Sequence, residues 1–172
     1  MSVAPGAMVD SLRPVPTGVL YSTLLIFHVV SGVMGFGTTA LTGIQAARAR
    51  RGPSAPSAAG VRRYFRPGVN WAGRALYGVP VFGFALVAAS HDAWHAGDAF
   101  VVVGLALWLV AALVAEVVIW PAERRVQVIV HQRWGDPEFT PTLERDCKWL
   151  ATAAIVLVFV FVAAVVVMVG KL

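Results

Sequence analysis

The sequence has a single cysteine, Cys147, in 172 residues. One cysteine excludes an intramolecular disulfide, and any cysteine-based zinc or iron–sulfur site built by one chain. Charge is scarce too: 13% of residues are charged, against about 25% in an average soluble domain. There is no P-loop, no GxSxG nucleophile elbow, no HExxH zinc helix and no Gly-rich dinucleotide fingerprint. No pair of carboxylates falls inside an apolar run, so paired-acid chemistry within the apolar segments is excluded. No internal repeat is evident, and four short-loop spans are few for a transporter built from inverted repeats.

What is abundant is apolar surface. Hydrophobic residues make up 58% of the chain and the mean hydropathy is +0.73. That composition describes a membrane protein, with no room for a separate soluble catalytic domain. Residues 1–16 hold Pro5, Pro14 and Pro16 and no long apolar run, so they read as an extramembrane tail. The run after Arg13 continues too far, with no convincing cleavage site, to be a secretory signal. A single four-span domain over 17–172 is expected, with spans near 18–46, 69–90, 99–120 and 149–169. Each is long enough to cross ~30 Å of hydrocarbon. Four spans cannot close a barrel, so the fold class is an all-α, four-helix membrane bundle.

Charge sets the expected orientation. The first loop carries Arg48, Arg50, Arg51, Arg62, Arg63 and Arg66 and no acid; the third carries Arg124, Arg125, Arg133, Arg145 and Lys148 among five acids. The second loop, from His91 to Asp98, has two Asp and no Lys or Arg. The positive-inside rule places loops one and three in the cytosol and both termini outside. The net charge of +5 therefore marks the cytosolic face; with no binding motif present, nucleic acid is not an expected partner. The expected location is a bacterial plasma membrane, with the lipid bilayer as the first partner. RGPSAPSAAG (51–60) reads as a flexible connector. Thr140–Pro141 reads as the start of a helix in the cytosol. Val126, Ile129, Val130 and Trp134 share a face of an interfacial extension of the third helix, kinked at Pro121.

Ionisable residues inside spans are costly and so mark candidate sites. There are three: His28, Arg74 and Glu116. His28 lies about ten residues into span one, roughly 15 Å deep. It opens the face of a row spaced by four: Ser31, Gly35, Thr39 and Gly43. Such a row allows close helix packing, with His28 hydrogen-bonded to a neighbouring backbone group or hydroxyl. It also leaves room for a flat cofactor, haem b, with His28 as an axial ligand; a proton-relay or substrate-contact role is a third option. No other His lies in a span, so a haem would be five-coordinate or shared across a dimer. Trp108, Phe82 and Phe159 are expected at the same level. Arg74 and Glu116 lie at matching depths on spans two and three, which predicts an interhelical ion pair; snorkelling of Arg74 to the headgroups is the alternative. In the outer loop, His91 and His95 are four apart. A helical turn would put both on one face, beside Asp92 or Asp98, a spacing that suits copper or zinc. The alternative is a polar interfacial loop anchored by Trp94. His131 is expected in solvent, and Cys147 in packing at the cytosolic start of helix four.

The run LLIFHVVSGVMGFGTTALTG resembles a family of predicted bacterial four-span membrane proteins of unassigned function, and the resemblance extends from about Tyr21 to Val169. The same opening is distantly similar to the HemJ-type protoporphyrinogen oxidases, with their family-level haem association, and to the copper-resistance D membrane family. In both, the first-span His corresponds to His28. Span two carries Arg74 where the oxidase has a Lys, and no Met-rich or multi-His copper path is present, so the carry-over stops at His28. Three functions follow as expectations. The first is a structural or accessory component, as a homo-oligomer or within a larger membrane complex. The second is a haem-associated redox protein using His28. The third is a metal or small-solute protein using His91 and His95 outside, with Arg74 and Glu116 inside.

Overall fold

A computed structural model describes residues 18–170; the tail expected over 1–16 lies outside them. Among the described residues every regular element is helical. Helix α1 runs Val19–Ala49, and α2 is a short helix, Ala58–Tyr64. Helix α3 (Trp71–Arg74), a 3-10 turn (Ala75–Tyr77) and α4 (Gly78–Ala88) follow end to end. Helix α5 (Ala99–Val114), a π turn (Ala115–Ile119) and α6 (Trp120–Gln132) form a second continuous rod, and α7 runs Thr140–Gly170. Four of these rods are long and apolar enough to cross a membrane: Val19–Ala49, Trp71–Ala88, Ala99–Gln132 and Thr140–Gly170.

Both irregular turns sit before prolines. Pro121 has no N–H to bond Val117, its partner four residues back, and the π turn widens the backbone there. Pro80 likewise cannot bond Leu76. The 3-10 turn precedes it, and the freed Leu76 carbonyl accepts instead from Trp108 Nε1 at 2.9 Å. At both prolines the local break follows from one missing donor.

Helix α1 is the hub, packing on α7 and on α4, while α7 also packs on α5. Helices α4 and α5 are consecutive in sequence yet barely touch. The order around the bundle is therefore α4, α1, α7, α5, with an open seam between α4 and α5.

At the arginine-rich end the rods extend beyond the expected spans into a capping layer. Val61 and Phe65 of the α2 region, Val126 and Val130 of α6, and Leu143 and Cys147 of α7 are all buried in it. Burying each large apolar side chain in a layer bathed by water contributes about 1.5–3 kcal/mol. Arg125 clamps the layer: its Nε and Nη2 donate to Asp146 at 2.7 and 3.1 Å, and Asp146 is only 1% exposed. The connector reading of 51–60 thus needs correction at its end, because α2 starts at Ala58. Along the spans the pattern inverts. Ile26, Leu113, Phe159 and Val166 point outward, and helix association there rests on small residues and tight packing.

Candidate functional site

The row of small residues on α1 is used inside the bundle. Ser31, Gly35, Thr39 and Gly43 are all buried. A Cβ on Gly35 would stand 2.7 Å from the backbone nitrogen of Leu76, and one on Gly43 would stand 2.5 Å from Ala154 Cβ. Ser31 abuts Gly78, and the Thr39 hydroxyl donates to the Gly35 carbonyl at 2.9 Å. These contacts bring α4 and α7 against α1 and leave this row no surface for an outside partner.

One turn further along α1, His28 faces α4. Its Nδ1 lies 2.9 Å from the Val79 carbonyl, and a Cβ on Gly83 would stand 3.3 Å from its Cε1. A carbonyl only accepts, so Nδ1 carries the hydrogen and donates. In the neutral ring Nε2 then holds the lone pair. Nothing among the described residues donates to it.

His28 lines a cavity of about 550 Å³ at the open seam, walled by α1, α4, α5 and α7. Gly32, Gly83 and Gly104 leave space there, and Phe36, Trp108 and Phe161 lie deep in it. Tyr21 and Trp94 stand toward the end away from the arginines. Among the described residues the lining holds no Lys, Arg, Asp or Glu, and Trp108 has already spent its N–H on Leu76. The ring level differs in part from expectation. Trp108 is in the wall and Phe82 stacks on Phe27 at 5.3 Å, but Phe159 is 71% exposed and Phe161 takes the inward place. In α7 the inward positions are Leu150, Ala153, Ala154 and Leu157; Phe161 continues that stripe and Phe159 does not.

A second polar group lies nearer the arginine-rich end. Arg74 Nη1 is 3.7 Å from Glu116 Oε1, and the guanidinium also stacks on Trp120, 3.4 Å from the ring centroid. The Tyr77 hydroxyl donates to the same Glu116 oxygen. Deeper in the layer, Asn70 Nδ2 donates to the buried Glu123 at 3.1 Å. Tyr64 pairs with Thr42 at 2.6 Å and donates to the Thr38 carbonyl at 3.2 Å. Burial pushes the Tyr64 phenol above its ordinary value, with the Thr42 hydrogen bond opposing. Tyr77, Asn70 and Glu123 were not legible as partners. Their only signal was adjacency, Glu123 one turn beyond Trp120 and Tyr77 one turn beyond Arg74.

The loop between α4 and α5 folds as turns rather than a helix, so the helical spacing of His91 and His95 does not form. His91 and Asp92 take left-handed conformations, φ 48° and 66°. His95 N–H donates to Asp98 at 2.8 Å. Among the described residues, no group of three or more His, Cys, Asp or Glu gathers closely enough to hold a metal ion. His131 is exposed, with Nε2 3.1 Å from the Arg62 carbonyl, and Cys147 is fully buried.

No protein-family model matches the chain, and no curated protein or solved structure matches it either. A functional argument therefore rests on the pocket. Its imidazole is held as axial haem ligands often are, by a backbone carbonyl on the far nitrogen. The rest of the lining fits haem b poorly. Haem carries two carboxylates, and among the described residues the wall offers no cation to receive them. An uncharged molecule fits the lining better.

Proposed function

We propose that this chain is a small integral membrane protein that holds an uncharged, largely apolar molecule in the pocket beside His28. The single observation behind it is the cavity at the α4–α5 seam: largely apolar, lined among the described residues by no ionic side chain, with one imidazole in its wall. Its volume falls within the ordinary range for small-molecule sites, about 300–1,000 Å³. With loops one and three in the cytosol of a bacterial plasma membrane, the pocket lies in the outer leaflet, and the open seam faces lipid. A structural or accessory role draws less support, because the small-residue row of α1 is consumed internally.

The test is to purify the protein from its native membrane in mild detergent, extract it with organic solvent and identify what co-purifies. An apolar molecule near one per chain, lost in Gly83→Leu, supports the proposal. A folded preparation carrying nothing beyond bulk lipid refutes it and returns the accessory reading to first place. The absorption spectrum decides a second reading, which the carbonyl-anchored imidazole favours. A Soret band lost in His28→Ala would make His28 a haem ligand and the pocket a haem site.

A further inference from the structure

The pocket's hydrogen-bonding character narrows the class of molecule it takes, and this step rests on the pocket proposal above. Five polar groups in or beside the wall bear on it. Trp108 Nε1 is occupied by the Leu76 carbonyl. The Val79 carbonyl already accepts from His28. Tyr21 and Trp94 belong to the rim. What remains in the depth of the pocket is His28 Nε2. Because Nδ1 must donate to a carbonyl, Nε2 of the neutral ring is an acceptor and cannot be a donor. Turning the ring over would put Cδ2 in place of Nδ1 against the Val79 carbonyl and lose that hydrogen bond.

We infer that the pocket selects a neutral lipid-like molecule bearing a hydroxyl group, with the hydroxyl donating to His28 Nε2 and the hydrocarbon lying along α5 and α7. Molecules whose only polar atom is an acceptor, such as ethers, ketones and esters, find no donor at His28; the Tyr21 hydroxyl and the Trp94 indole stand at the end of the pocket away from the arginines. An isoprenoid alcohol and a hydroquinone share the recognised chemistry; the corresponding methyl ether and quinone lack it. Among the described residues no Lys or Arg lines the pocket to receive an anionic headgroup.

Farnesol and farnesyl methyl ether make a matched pair of probes, differing in the donor hydrogen and one methyl group. The full chain is reconstituted in lipid nanodiscs, each probe is titrated by mole fraction in the bilayer, and the tryptophan fluorescence of a wall containing Trp94 and Trp108 reports binding. Farnesol should bind about threefold to tenfold more tightly than the ether, the value of one net hydrogen bond. The preference should vanish in His28→Leu and persist in part in His28→Gln, which keeps an acceptor. The wild-type comparison stands even if the variants fail to fold. Equal affinities for alcohol and ether would overturn the hydroxyl inference and leave the pocket intact. Saturable binding of neither probe would overturn the inference together with the proposed function.

Discussion

Adding one carbon to Gly35 should push α1 away from the start of α4. A Cβ there would lie 2.7 Å from Leu76 N and 2.8 Å from Leu76 Cα. Both are backbone atoms, so no rotamer change relieves the clash and a helix has to move. Overpacking of this kind costs about 1–3 kcal/mol. Alanine also brings about 1 kcal/mol of helix propensity, which would mask part of the cost in a single variant. Gly37 supplies the control. It lies in the same helix two residues on, and a Cβ there meets nothing within 4 Å. Gly37→Ala gains the propensity without the clash, so the gap between the two variants isolates packing. That gap should be about 1–3 kcal/mol, or about 2–12 °C in Tm for a chain of this size. The assay is circular-dichroism melting of both variants in the same detergent at one scan rate. Gly35→Ala melting at or above Gly37→Ala would refute the packing argument. Since Leu76 also holds Trp108, the shift should change tryptophan emission in Gly35→Ala alone.

Further outcomes follow from the same contacts. Trp108→Phe leaves the Leu76 carbonyl without its donor and should cost about 1–3 kcal/mol; Pro80→Ala restores a backbone N–H to that carbonyl, so a double-mutant cycle should show rescue. Arg125→Ala strips two hydrogen bonds from the buried Asp146 and should destabilise by about 2–3 kcal/mol, while Arg125→Ala combined with Asp146→Asn should recover part of the loss in the same melting assay. Arg74→Ala removes the ion pair and the stacking on Trp120, whereas Glu116→Ala removes the ion pair and the Tyr77 hydrogen bond, so each should destabilise by about 0.5–1.5 kcal/mol in the same assay; exchanging both charges should restore the ion pair but neither of the other contacts, and so not full stability. Tyr64 has a raised folded-state pKa, so the unfolded phenol ionises first, and stability should fall as pH rises from about 10 upward; Tyr64→Phe should flatten that alkaline loss in pH-dependent melts.

The four rods were legible because apolar runs of about 20 residues have one solution in a bilayer. The irregular turn at Pro121 and the helix start at Thr140 depend on local chemistry, a missing N–H and a first-turn proline, which is why the sequence marks both positions. Helix α2 was not. Its sequence is small and basic, and its helicity follows from seating Val61 and Phe65 against the other cap helices, a tertiary effect. The pocket was hidden for a similar reason. It exists because α4 and α5 splay apart, and no residue in either helix encodes that alone. His28 stood out by burial cost, but its orientation depends on Val79 and Gly83, some fifty residues away. The inward place of Phe161 over Phe159 followed the helical stripe, which a uniformly apolar run such as α7 conceals.

The second rod has a consequence for the surrounding membrane. Trp71–Ala88 is 18 residues long, about 27 Å at the helical rise, whereas the other three rods have 31 to 34 residues. It only just matches a hydrocarbon layer of ~30 Å, which its neighbours span with length to spare. A thicker bilayer would therefore strain the α4 side first, the flank where the α4–α5 seam opens. If the pocket takes its occupant from the bilayer, as proposed, membrane thickness becomes a variable that acts on access to it.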